Sequence, residues 1–149
     1  MTAGAAPPAA RALVLDTNVV LDLLLFDDPS TAALRAALHS RQWDWLSTLP
    51  MRDELARVLA YPALAAPMAA RACDAQAVLA RFDLACSLQP VAAACPVRCS
   101  DPDDQCFIDL AVAHRAWLLS KDKAVLRLRR RLAALAVPVS PVFKPLPAM

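Results

Sequence analysis

A chain of 149 residues is the size of one domain with a core of its own, and a formal net charge of +2 is too small to identify a partner. Hydrophobic residues make up 58% of it, but much of that content is alanine, which favours helices, so the composition points to a compact, helix-rich domain. The longest apolar stretch, Ala12 to Phe26, is interrupted by Asp16, Asn18 and Asp22, which excludes a membrane span.

Residues 1–10 are rich in alanine and proline and lack the basic start and apolar run of a signal peptide, so they are expected to be a disordered lead-in. Residues 11–149 are expected to form one domain. Its five cysteines, Cys73, Cys86, Cys95, Cys99 and Cys106, are odd in number and irregularly spaced. That pattern fits reduced thiols in the cytoplasm. Cys95 and Cys99 have no second Cys or His pair at finger-like spacing, which argues against structural zinc.

In chain order, Ala12 to Leu15 is a short continuous apolar run, as in a strand buried on both faces, and Val19 to Phe26 starts a helix directly after it. Asp27-Asp28-Pro29-Ser30 breaks that helix. Ser30 is expected to cap a second one, with Ala33, Leu34, Ala37 and Leu38 inward. Trp43 to Ser47 reads as a second strand. Ser47-Thr48-Leu49-Pro50 is then a helix-start signal for Met51 to Ala60, with Leu55, Val58 and Leu59 as its apolar stripe.

Met68 to Leu88 reads as one long or two short helices with Ala72, Ala75, Val78, Leu79 and Phe82 inward, forming an arm or cap. A short strand is expected near Val91 to Ala94. Gln105 to Ala116 follows as a helix, Trp117 to Leu119 as a buried strand, and Lys123 to Ala136 as another helix. Val137 to Val142 is the last strand, and its prolines suit only an edge. Strand and helix alternate throughout, which predicts an α/β fold with a central parallel sheet between helical layers.

Four acids stand where such strands would end: Asp16, Glu54, Asp104 and Asp122. In open parallel sheets ligands bind at the carboxyl ends of the strands, so these carboxylates can meet in one cleft. There they would repel one another without a hard divalent cation. Taken singly, each acid reads more readily as a helix cap or a surface charge. Asp101 is open to either role, whereas Asp103 and Asp53 read as exposed neighbours. Asp109, about 140° around the helix from Asp104, should face elsewhere. Gly4 is the sole glycine, which excludes phosphate-cradling glycine loops and a Gly-x-Ser-x-Gly nucleophile turn. His114, among apolar neighbours late in a helix, reads as a core-edge or surface residue.

Four ordered blocks resemble a PIN-domain ribonuclease: Val14-Leu15-Asp16-Thr17-Asn18-Val19-Val20, Arg52 to Leu59, Asp101 to Ala111, and Leu118-Leu119-Ser120-Lys121-Asp122-Lys123. The resemblance implies a three-layer α/β/α fold and an endoribonuclease dependent on Mg2+ or Mn2+. It further implies a VapC-like toxin of a type II toxin-antitoxin pair. Carried over by position, Asp16, Glu54, Asp104 and Asp122 are the catalytic and metal-binding acids, Asn18 a polar position beside the first and Ser120 a hydroxyl before the last. The expected partners are an RNA substrate, a cognate antitoxin and a second copy of the chain, with no membrane. Thr31 to Ala37 and Met68 to Leu84 are the helices open to such pairing, although burial in the domain's own core is the simpler account of their apolar faces.

Two other classes compete. A non-catalytic RNA-binding or scaffold module would use the acids only as caps, and a receiver-like phosphoacceptor would need a lysine at the site, for which Lys121 is the candidate. The arginines at 127, 129, 130 and 131 suit phosphate contact or an exposed helix face.

Overall fold

Leu13, Val14 and Leu15 are all buried although successive strand residues point to opposite faces, so the strand that carries them is covered on both sides. It belongs to a parallel sheet seen in a computed structural model, which describes residues 11–144. The strands are β1 (Arg11–Leu15), β2 (Trp43–Ser47), β3 (Cys86–Leu88), β4 (Trp117–Leu119) and β5 (Val139–Ser140), in the order β3-β2-β1-β4-β5. Leu13 and Leu15 enter one core and Val14 the other, and Trp45 with Leu46 and Leu119 with Leu118 divide in the same way.

On the first face lie α1 (Thr17–Leu24), α2 (Ala32–His39), α3 (Leu49–Leu59), α4 (Ala65–Ala70) and α5 (Ala75–Ala85). On the second lie α6 (Gln105–His114), α7 (Lys123–Leu126) and α8 (Arg129–Ala133). The fold is therefore the expected α/β/α arrangement. Both predicted strands with continuous buried runs, Trp43 to Ser47 and Trp117 to Leu119, have those bounds. No helix among the described residues is long and apolar enough to cross a membrane. The expected lead-in at 1–10 lies outside the described residues.

Four local expectations are corrected. Ser30 caps nothing: its own N–H donates to Asp28, which caps a 3-10 turn at Pro29–Thr31, and Ala33 is exposed. The third strand is β3, not Val91 to Ala94, because Trp45, Leu46 and Ser47 of β2 take Cys86, Ser87 and Leu88 as partners. Of the two arrangements open for Met68 to Leu88, two helices form, but Ala72 is not inward: it is exposed with a left-handed φ of 47° at the break, α5 restarts from an Asp74 cap, and the stretch ends in β3 rather than in helix. Lys123 to Ala136 divides into α7 and α8, and the last strand shortens to two residues between Pro138 and Pro141.

Candidate metal centre

The strand order runs outward from β1 to β3, then returns to β4 on the other side of β1. Neighbouring crossovers thus leave in opposite directions at the carboxyl ends of β1 and β4, which opens a crevice there. Asp16 is the first residue beyond β1, and its N–H donates to the Leu119 carbonyl at 3.0 Å. Its carboxylate is almost fully buried. Oδ1 accepts from the Val19 N–H at 2.9 Å, capping α1, and Oδ2 accepts from the buried Ser120 hydroxyl. Burial raises the Asp16 pKa, against the lowering effect of the Ser120 and backbone hydrogen bonds. The same Ser120 oxygen accepts from the Asp122 N–H at 3.1 Å, so one hydroxyl links two of the acids.

Glu54 comes from the second turn of α3, which starts where Thr48 accepts from the Met51 N–H and Pro50 occupies the first turn. Leu55 and Leu59 anchor that helix in the core, while Glu54 and Val58, four residues apart, share the side that lines the crevice. Thr17 Oγ1 donates to Glu54 Oε2 at 2.6 Å. That partner is 37 residues distant in the chain, and nothing in the motif around Asp16 announces it.

The third group is the tightest. Asp101 accepts from the Asp103 N–H and caps a 3-10 turn at Pro102–Asp104, and Asp122 accepts from the Ala124 N–H and caps α7. Asp104 stands at the start of α6 and caps nothing. Carboxylate oxygens of Asp101, Asp104 and Asp122 lie within 4.8 Å of one another. Burial, and next the adjoining Asp122 carboxyl, push the Asp104 pKa up to about 7; Asp101 and Asp16 add to the rise. Asp104 Oδ2 is buried with no hydrogen-bond partner. An orphaned carboxylate oxygen among like charges fits a divalent cation, and an all-oxygen donor set fits magnesium or manganese better than zinc.

Asp16, Asn18, Glu54, Asp104 and Asp122 line a single cleft of about 350 Å³, with Ser120 buried beneath it. Of the four predicted acids, only Asp104 and Asp122 belong to the tight group, and Asp101 completes it; Asp16 and Glu54 border the same space. The cap reading of single acids holds for Asp16, Asp101 and Asp122, and capping leaves each of them a second oxygen. Asp103 is exposed at the cleft edge and Asp53 is exposed. Asp109 faces elsewhere as expected, accepting from the Cys95 N–H and Gln105 Nε2. Lys121 is taken up by Asp22, which weakens the receiver-like alternative, and His114 is exposed.

A family model described as a PIN domain matches residues 12–124, from β1 into α7. A comparison with curated proteins returns no match.

Proposed function

Since this chain belongs to the PIN domain family, whose members are generally nucleases, we propose that it is an endoribonuclease that hydrolyses RNA phosphodiester bonds with Mg2+ or Mn2+. The observation that carries this reading is the buried, partnerless Asp104 Oδ2 inside a group of three carboxylates. A module using its acids only as caps would have no need to bury that oxygen beside Asp122.

Asp101, Asp104 and Asp122 would hold the ion, with Asp16 and Glu54 lining the same cleft. When bound, such an ion lowers the pKa of water and offsets charge on the phosphate and the leaving 3′ oxygen, a chemistry that yields a 5′-phosphate. The chain's own contribution is positioning. Ser120 fixes Asp16 and the Asp122 backbone, Thr17 fixes Glu54, and the exposed Asn18 amide is available at the cleft to a bound water or to substrate.

The finer reading is a cytoplasmic toxin held by a cognate antitoxin that blocks the acidic cleft, and paired as a homodimer. The four motif blocks support it. The apolar faces of α2 and α5 are largely spent on the core, through Leu34, Ala37, Val78, Leu79 and Phe82, which leaves Leu84, 90% exposed, as the large apolar side chain free for a partner.

The test uses purified protein and RNA. Cleavage should need Mg2+, stop in EDTA, return with Mn2+, and vanish in a folded Asp16→Asn variant; persistent cutting in chelator would defeat the reading. Induction in cells should arrest growth, Asp104→Ala should abolish the arrest, and a neighbouring small reading frame should relieve it.

A further inference from the structure

The cleft has a second wall that the acids do not explain. Tyr61 lines it and is 56% exposed. Its backbone is fixed on both sides: its N–H donates to the Val58 carbonyl at 2.9 Å and its carbonyl accepts from the Leu64 N–H at 3.0 Å. Pro62 follows and opens a 3-10 turn, so the ring is held at a rigid corner rather than on a loose loop. Its neighbours in the lining, Val58, Ala63 and Leu64, are apolar. Among the described residues Tyr61 stacks on no other aromatic ring.

We propose that Tyr61 is a stacking platform for an RNA base beside the scissile phosphate. The proposal rests on the ribonuclease reading and deepens it. A nucleotide has the two chemistries the cleft offers: an anionic phosphate for the metal side and a flat apolar base for the tyrosine side. A base can present its face to Tyr61 only when it has left a duplex stack, which is the mode by which aromatic side chains hold single strands without reading sequence. The cleft, at about 350 Å³, lies at the small end of ligand pockets and suits about one nucleotide rather than a helix.

The experiment measures binding and cleavage of a fluorescein-labelled single-stranded oligoribonucleotide, with binding read in Ca2+ so that no cutting intervenes. Tyr61→Ala should weaken binding about 10-fold or more and raise KM by a similar factor, with a smaller change in kcat. Tyr61→Phe and Tyr61→Trp should restore most of the loss. An oligonucleotide with an abasic residue next to the cleavage position should bind wild type and Tyr61→Ala alike. Equal binding by Tyr61→Ala, failure of Tyr61→Phe to recover it, or an undiminished penalty on the abasic strand would each overturn the proposal while leaving the ribonuclease reading intact. A wild-type protein inert toward RNA in every divalent metal would overturn both.

Discussion

Thr17 Oγ1 donates to Glu54 Oε2 at 2.6 Å, so the residue directly after the first acid holds the second one, which arrives from another helix. Thr17→Val keeps the branched shape and deletes the donor, leaving Glu54 free to swing. Groups that orient metal-site carboxylates typically change metal affinity or activity by about 10- to 100-fold when removed. The expected result is a Mg2+ requirement raised by about that factor with little change in melting temperature, since the bond is only part-buried. Magnesium titration of the cleavage rate checks it, and an unchanged titration would show that the bond positions nothing.

Asp104→Asn should act in opposite directions on stability and on activity. The buried Oδ2 has no partner and Asp122 adjoins it, so an ionised Asp104 is unfavourable in the metal-free fold. A neutral amide of the same shape removes that repulsion. Melting in EDTA should therefore rise for the variant, while metal-dependent cleavage falls by at least about 100-fold, in line with removal of a metal-polarised charge. A lower melting temperature in EDTA would contradict this account of the site.

The same group sets a pH dependence. Its pKa is about 7 in the fold against 3.8 for an ordinary aspartate, so between those values the native state binds more protons than the unfolded chain. Stability then falls as pH rises from about 4 to 7 and levels off above, by the linkage relation. The raised Asp16 pKa contributes in the same direction. Added Mg2+ should reverse the trend, because it binds the ionised carboxylates: the metal-induced gain in melting temperature should be larger at pH 8 than at pH 5. Scanning calorimetry at both pH values, with and without Mg2+, decides it; an equal gain at both would remove Asp104 from the set of ligands.

Legibility of these features in the sequence followed the range of the interactions that produce them. β2 and β4 were readable to the residue, because each carries its own cluster of tryptophan and leucine between helical segments. β3 was not: it has three residues at the sheet edge, Leu88 is half exposed, and its identity comes from pairing with β2. Asp16 and Asp122 could be placed because each directly follows a strand. Asp101 could be read either as a cap or as a member of the site; it caps the 3-10 turn and its carboxylate lies in the three-acid group, which depended on how the loop before α6 is tied down. Thr17 lay within the first motif, yet its role depends on a partner 37 residues away. Tyr61 carries no sequence signal of its own beyond preceding Pro62, and only the tertiary approach of α3 to the acids makes it a wall of the cleft.

The loop that delivers Asp101 hangs on two side chains, of which Gln105 makes more of the bonds. Gln105 is buried at the first position of α6; its Nε2 donates to the Val97 carbonyl at 3.0 Å and to Asp109 Oδ1 at 2.9 Å, and its Oε1 accepts from the Cys99 N–H at 2.6 Å. Asp109 also accepts from the Cys95 N–H, so residues 95–99 are fastened to α6 by these two side chains. Gln105→Ala deletes three bonds, strands the Cys99 N–H and leaves the Val97 carbonyl only the Cys95 thiol, at a cost of about 2–4 kcal/mol. A loss of at least about 5 °C in melting temperature is expected for a domain of this size. Because Asp101 lies two residues beyond Cys99, the variant should also bind Mg2+ more weakly at temperatures where it is fully folded. Asp109→Ala, which removes the Cys95 and Gln105 contacts but spares those to Val97 and Cys99, should show the same two effects in smaller measure. Destabilisation with wild-type metal affinity would mean that the loop supports the fold but does not place Asp101.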